Sequence, residues 1–332
     1  MAHSNNSIYS THIVTTQYTP HIMSTQARKA NANLDLTGKS AVIAGGSQGI
    51  GAGIAIRFAQ AGANVLIVGR NKERLQAVIS EARKVAKSTE QKLDYLSADL
   101  SLVSEIKAVA KEIEAKTGSH VDYLIQTQGG MPNGLFETTS EGIEVHFAVQ
   151  ILNRFLLNYL LATSGALKDT SIAIVGPGST QTEFKLDDIE LASAKDENRY
   201  SQIAKHAARD SVVTDTFTKS LQTHFPQLKF FHLAPGFVQT DVMTNQDVPT
   251  PIRLAINYIV FPLAARSFGN TTTSYADIPV FLAANEGRDA VVEAEGYFLN
   301  EKNKRVELNL YATEEKNQEA MFEKLKGYLD GR

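Results

Sequence analysis

From Ser40 onward, short β-branched runs alternate with longer stretches of helical periodicity along the chain. The runs are Ala41–Ala44, Asn64–Val68, Leu93–Ser97, Val121–Ile125, Ser171–Val175, Lys229–Leu233 and Gly296–Leu299. Strands that alternate with helices imply crossover connections, hence a parallel sheet with helices on both faces. The pattern predicts an α/β, doubly wound sheet of about seven strands with six helical segments. No internal repeat or linker divides it, so residues 34–332 read as one domain. The stretch Gly142–Leu161 is apolar on most sides, including Ile143, Phe147, Ile151, Leu157 and Leu161. It reads as a helix buried against the sheet, with a face left over that a second copy of the chain could cover, giving a homodimer.

The first thirty-three residues lack that periodicity. They are rich in Ser, Thr, Asn, Gln and His, and no acidic residue precedes Asp35. They read as a disordered tail with no apolar core of signal-peptide length, and Met23 is a second candidate start.

Ala44-Gly45-Gly46-Ser47-Gln48-Gly49-Ile50-Gly51 follows the first strand and opens a helix through Ile54, Ile56 and Phe58. Gly45 allows a tight turn, Gly49 lets backbone N–H groups approach a pyrophosphate, and Gly51 lets helix and strand pack closely. A dinucleotide is the expected ligand. The Gly-x-x-x-Gly-x-Gly spacing resembles that of the short-chain dehydrogenase/reductase family, with Ala44 where the family usually has Thr. The resemblance extends along nearly the whole chain. It implies a Rossmann-type fold, a nicotinamide cofactor and interconversion of a carbonyl and an alcohol.

After the second strand, an NAD site carries an acidic residue for the ribose 2′-hydroxyl. Here the chain reads Val68-Gly69-Arg70-Asn71. Without a carboxylate, and with Arg70 able to make forked contacts to a 2′-phosphate, NADP is the expected cofactor. By position, the resemblance assigns Asp99 to the adenine. It also assigns Pro235, Gly236, Val238 and Thr240 to the nicotinamide side. After the fourth strand the family's Asn-Asn-Ala-Gly is replaced by Gln126-Thr127-Gln128-Gly129.

The catalytic positions depart further. The resemblance implies a Tyr with a Lys four residues later, a Ser after the fifth strand and an Asn on the preceding helix. The chain offers Lys205, which would also contact the ribose, with Tyr200 five residues before it and Ser201 four before. Gln150 stands for the Asn. Gly176 and Pro177 occupy the usual serine positions, leaving Ser179 or Thr180 to substitute. Tyr200 has the suitable chemistry for a proton relay, but a regular helix would turn it away from Lys205, so a late start or a π-bulge is expected there. The rival reading is a non-catalytic NADP(H)-binding sensor or scaffold. His146 and His206 read as isolated residues with no metal-ligand partner at helical spacing.

Residues 241–274 read as a lid over the substrate, with the uncharged run 254–265 at its centre. The late pattern resembles the retinol-dehydrogenase-like branch of the family. A small lipophilic substrate and a peripheral membrane contact are the corresponding expectations. Composition adds only exclusions. The chain has 332 residues, is 43% hydrophobic and has a net charge of -3, which gives no general attraction to nucleic acid. It has no cysteine, so thiolate chemistry and disulfides are ruled out, and a cytoplasmic location is compatible.

Overall fold

The structure, a computed structural model, describes residues 20–130, 132–176, 182–236, 238–239, 254 and 270–331. Seven parallel strands form one sheet. They are β1 (Ser40–Ala44), β2 (Asn64–Gly69), β3 (Leu93–Ser97), β4 (Val121–Gln126), β5 (Leu167–Ile174), β6 (Lys229–Leu233) and β9 (Phe298–Leu299), in the order β3-β2-β1-β4-β5-β6-β9. All seven expected runs are present. β5 starts four residues earlier than its β-branched core because Leu167 pairs with Val121. β9 is shorter than expected, since only Phe298 and Leu299 pair with β6.

Each strand alternates between two cores. Val42, Val68, Leu124 and Phe230 face a layer made by α4 (Val103–Thr117), α5 (Val145–Thr163), α6 (Arg199–His224) and α9 (Glu315–Gly327). Ile43, Ile67, Ile125, Ile172 and Phe231 face α2 (Gly49–Gln60), α3 (Lys72–Val85) and α7 (Thr272–Ala284), with α8 (Arg288–Glu295) packed at the margin. This two-sided burial explains the near-continuous apolar runs of the strands.

Three expectations are corrected. The tail read as disordered through residue 33 contains a helix, α1 (Pro20–Ala30), and Ser24, Ala27 and Asn31 are buried at helical spacing. Polar bonds that no apolar pattern announces hold it. Asn31 donates to the Asp277 carbonyl at 2.9 Å, and the Asp277 carboxylate also pairs with Arg57 at 2.7 Å and Arg28 at 3.3 Å. The lid's second boundary also moves. Asn270–Thr271 is a strand (β8) paired in parallel with β7 (Val238–Gln239), and α7 begins at Thr272, so the segment expected to form a lid is flanked by two paired strands and stops short of residue 274. Finally, the leftover apolar face of α5 is covered by the chain itself. Phe322 of α9 lies 5.4 Å from Phe155 and 5.7 Å from Tyr159, and it stacks on His224 of α6 at 3.7 Å.

Candidate active site

The strand order reverses between β1 and β4, and the crevice beyond their carboxyl ends is where doubly wound sheets bind ligands. The glycine loop forms its floor. Gly45 has φ +83, and a Cβ there would stand 2.4 Å from the Gln128 nitrogen. A Cβ on Gly51 would lie 2.3 Å from the Gly45 carbonyl oxygen, so glycine alone permits this approach of helix to turn. Thr127 locks the loop from the neighbouring strand, its hydroxyl donating to the Ala44 and Gly45 carbonyls. No side chain caps α2, which leaves its first N–H groups available to an anion at the positive end of the helix. Ser47, Gln48, Gly49 and Ile50 therefore line a cradle that fits a pyrophosphate.

Arg70 is exposed just past β2, and among the described residues its guanidinium makes no ion pair. Arg74, which sequence reading missed, reaches back from the first turn of α3 to the Gln48 side chain of the loop. Its four-residue spacing from Arg70 was the available signal. Asp99 is half-buried, and its carboxylate accepts from Ser101 N at 3.0 Å. Pro235 and Gly236 follow β6, with Gly236 at φ +60, and Val238 is buried at the root of the lid. Thr240 and Ser179 lie outside the described residues.

The catalytic positions are arranged differently from the family pattern. α6 begins at Arg199, capped by the Asn198 side chain on Ser201 N, and runs as regular α-helix. Tyr200 and Lys205 therefore project about 140° apart. Tyr200 is 55% exposed, and it shares a face, within about 40°, with Ala207, Ser211 and Thr214. That face meets the sheet, because Thr214 is fully buried between Asp210, which binds His146 of α5, and Asp215, which binds His232 of β6. Lys205 points away, pairs with Glu197 and lines a cavity of about 240 Å³ with Phe184, Asp188, Ala208 and Val212. The structure thus does not bring Tyr200 and Lys205 together.

The π turn expected near Tyr200 occurs instead at Ala148–Leu152, around Gln150. Such turns are frequent at functional sites. The Gln150 side-chain oxygen accepts from Gly130 N at 3.3 Å, which places it at the end of β4. The Gln-Thr-Gln-Gly departure becomes intelligible here. Gln128 donates to Asn153 and, at 3.4 Å, to Gln126, while Arg154 donates to the main-chain oxygens of Gln128, Gln150 and Ile174. Asn153 and Arg154 were also missed. Their signal was two polar residues inside the apolar run Ile151–Leu157.

His146 and His206 are not isolated. Their rings stack at 5.3 Å, and His146 Nε2 lies 2.7 Å from the Asp210 carboxylate. Burial, together with Arg209 and His146, pushes His206 down to about 3. Burial would raise Asp210, but the charges and bonds of His146 and Arg209 outweigh it and hold the carboxyl at about 2. Among the described residues no group of three or more His, Asp or Glu side chains could hold a metal ion.

A family model described as short chain dehydrogenase matches residues 39–185. The oxidoreductase AN1596 of Emericella nidulans is 26% identical over 227 residues, covering 67% of this chain and 65% of that protein. The uncharacterized oxidoreductase YKL107W of Saccharomyces cerevisiae is 30% identical over 229 residues, covering 66% of this chain and 67% of that protein. Human polyprenol dehydrogenase is 29% identical over 216 residues, 61% of each. The chain thus spans about two thirds of the length of the first two relatives. Among solved structures, a 7 alpha-hydroxysteroid dehydrogenase complexed with NADH and 7-oxo glycochenodeoxycholic acid superposes with a TM-score of 0.57 at 21% identity, covering 83% of this chain and 98% of that one. A short chain dehydrogenase from Burkholderia cenocepacia in complex with NADP gives 0.57 at 20% identity, covering 80% and 96%.

Proposed function

The chain belongs to the short-chain dehydrogenase/reductase family, and from that premise we propose that it is an NADP(H)-dependent oxidoreductase interconverting a carbonyl and an alcohol on a small lipophilic molecule. The observation that carries the cofactor choice is Arg70. It stands exposed at the end of β2, beside Gly69 and with no carboxylate in the turn, where a 2′-phosphate would arrive. The cradle of Gly45–Gly51 fits the pyrophosphate. When bound, the nicotinamide supplies or accepts the hydride. One relative is named for a polyprenol, which supports a lipophilic substrate for a lid with an uncharged centre.

The proton is assigned to Tyr200. It stands in the first turn of α6 and is 55% exposed, so its phenol is open to an incoming molecule. Lys205 projects about 140° away from it and is paired with Glu197. The test is NADPH consumption with aldehydes and ketones of increasing chain length. Activity that rises with chain length and is weak with NADH is expected. Tight NADPH binding with no turnover of any carbonyl would favour a binding protein instead.

A further inference from the structure

The sequence places one arginine where the fold has no carboxylate to meet it. Arg154 lies on the first regular turn after the π turn of α5, with 1% of its surface exposed. Its guanidinium donates to the main-chain oxygens of Gln150, Gln128 and Ile174, and at 3.5 Å to the Gln150 side chain, while its Nε has no partner. Among the described residues no carboxylate stands within ion-pair distance of it. Asp210, whose charge reaches it, is already tied to His146 and Arg209. Burial lowers Arg154 to about 9, so it remains protonated at neutral pH.

A buried charge held only by carbonyl dipoles is costly, and its field is poorly screened. The position of this one is specific. Gln128 lies two residues past the end of β4, Ile174 ends β5, and Gln150 binds Gly130, so the charge sits beneath the carboxyl-end crevice. We propose that Arg154 is a positioning residue that sets the charge of this crevice, so that the site holds the reduced nicotinamide cofactor in preference to the oxidised one, whose ring is positively charged. This rests on the reading of the chain as an NADP(H) enzyme. It makes reduction the favoured working direction, because oxidised cofactor leaves readily and inhibits little, while alcohol oxidation must first bind the disfavoured form. It also explains how the site keeps a positive charge although Lys205 is turned away and paired with Glu197.

The test is binding, not turnover. NADPH is titrated by its own fluorescence and NADP+ by competition, for the parent protein, Arg154→Lys and Arg154→Met. The parent should bind NADPH more tightly than NADP+. Arg154→Met should shrink that ratio about tenfold, mainly by tightening NADP+, and Arg154→Lys should keep most of it. The ratio should also persist in high salt, because the charge is buried. Parent protein that binds NADP+ as tightly as NADPH overturns the proposal, as does an unchanged ratio in Arg154→Met. Should the methionine variant not fold, a lysine variant that binds both cofactors equally overturns it too. Parent protein that binds neither cofactor overturns the underlying NADP(H) reading, and the proposal with it.

Discussion

The ammonium of Lys205 is paired with the Glu197 carboxylate, while Tyr200, five positions earlier on the regular helix α6, projects about 140° away from it and is 55% exposed. A phenol and a lysine separated in this way cannot act as a pair, so their substitutions should have unequal effects. Tyr200→Phe should lower kcat by about 10²–10⁴, as loss of a general acid does. Lys205→Ala should leave kcat within a few-fold. Steady-state kinetics with NADPH saturating checks both, and a larger loss in the lysine variant would contradict the assignment.

Cofactor choice rests on Arg70. Arg70→Ala should weaken NADPH by about 1.5–3 kcal/mol, about ten- to hundredfold, and leave NADH nearly unchanged. Because Arg70 is exposed, the loss should shrink as salt rises. Titrations of both cofactors at two ionic strengths measure this. Equal affinities in the parent protein would remove the basis for NADP.

Stability should depend on pH through His206. Its folded value, about 3, lies below the ordinary 6.5, so the unfolded chain takes up a proton that the native chain refuses. Stability is therefore complete above about 6.5 and declines as pH falls toward 3. Asp210, held at about 2 against 3.8, adds a further loss only below about 4. The melting temperature of the parent should fall between pH 7.5 and 5, and that of His206→Phe should fall less. Parallel curves would show that His206 does not carry the effect.

The C-terminal helix supplies the cover that a partner subunit could otherwise give. Phe322→Asp uncovers Phe155 and Tyr159 and should destabilise the fold by about 3–5 kcal/mol. Light scattering should show self-association of this variant where the parent shows less. A variant with unchanged melting temperature and size would contradict the role of α9.

Truncation separates the two parts of the N-terminal region. Removing residues 1–22 should leave the melting temperature unchanged, whereas removing 1–33 deletes Arg28 and Asn31 from Asp277 and should lower it by several degrees. Equal melting temperatures would make the Asp277 contacts dispensable.

The sheet was legible because its strands are buried on both faces and bounded by turns, and the phosphate loop because only glycine fits at Gly45 and Gly51. α1 was not legible, since its anchor is a set of polar bonds to Asp277, 246 positions away from Asn31. Nor was the site's polar network. Gln128 looks like an isolated departure from the family's pattern until its bonds with Asn153 and Arg154 are seen. Sequence did show that Tyr200 and Lys205 were out of register, but not that Glu197 would take the lysine.

Hydride transfer from this crevice is the central claim, and a single-turnover reaction with NADPH deuterated at the transferring C4 position tests it most directly. The protein is mixed with a long-chain aldehyde, and the product is read by mass spectrometry. The account predicts one deuterium on the alcohol carbon of the product, greatly slowed in Tyr200→Phe. NADPH bound tightly with no deuterated alcohol formed, across aldehydes and ketones alike, would contradict it.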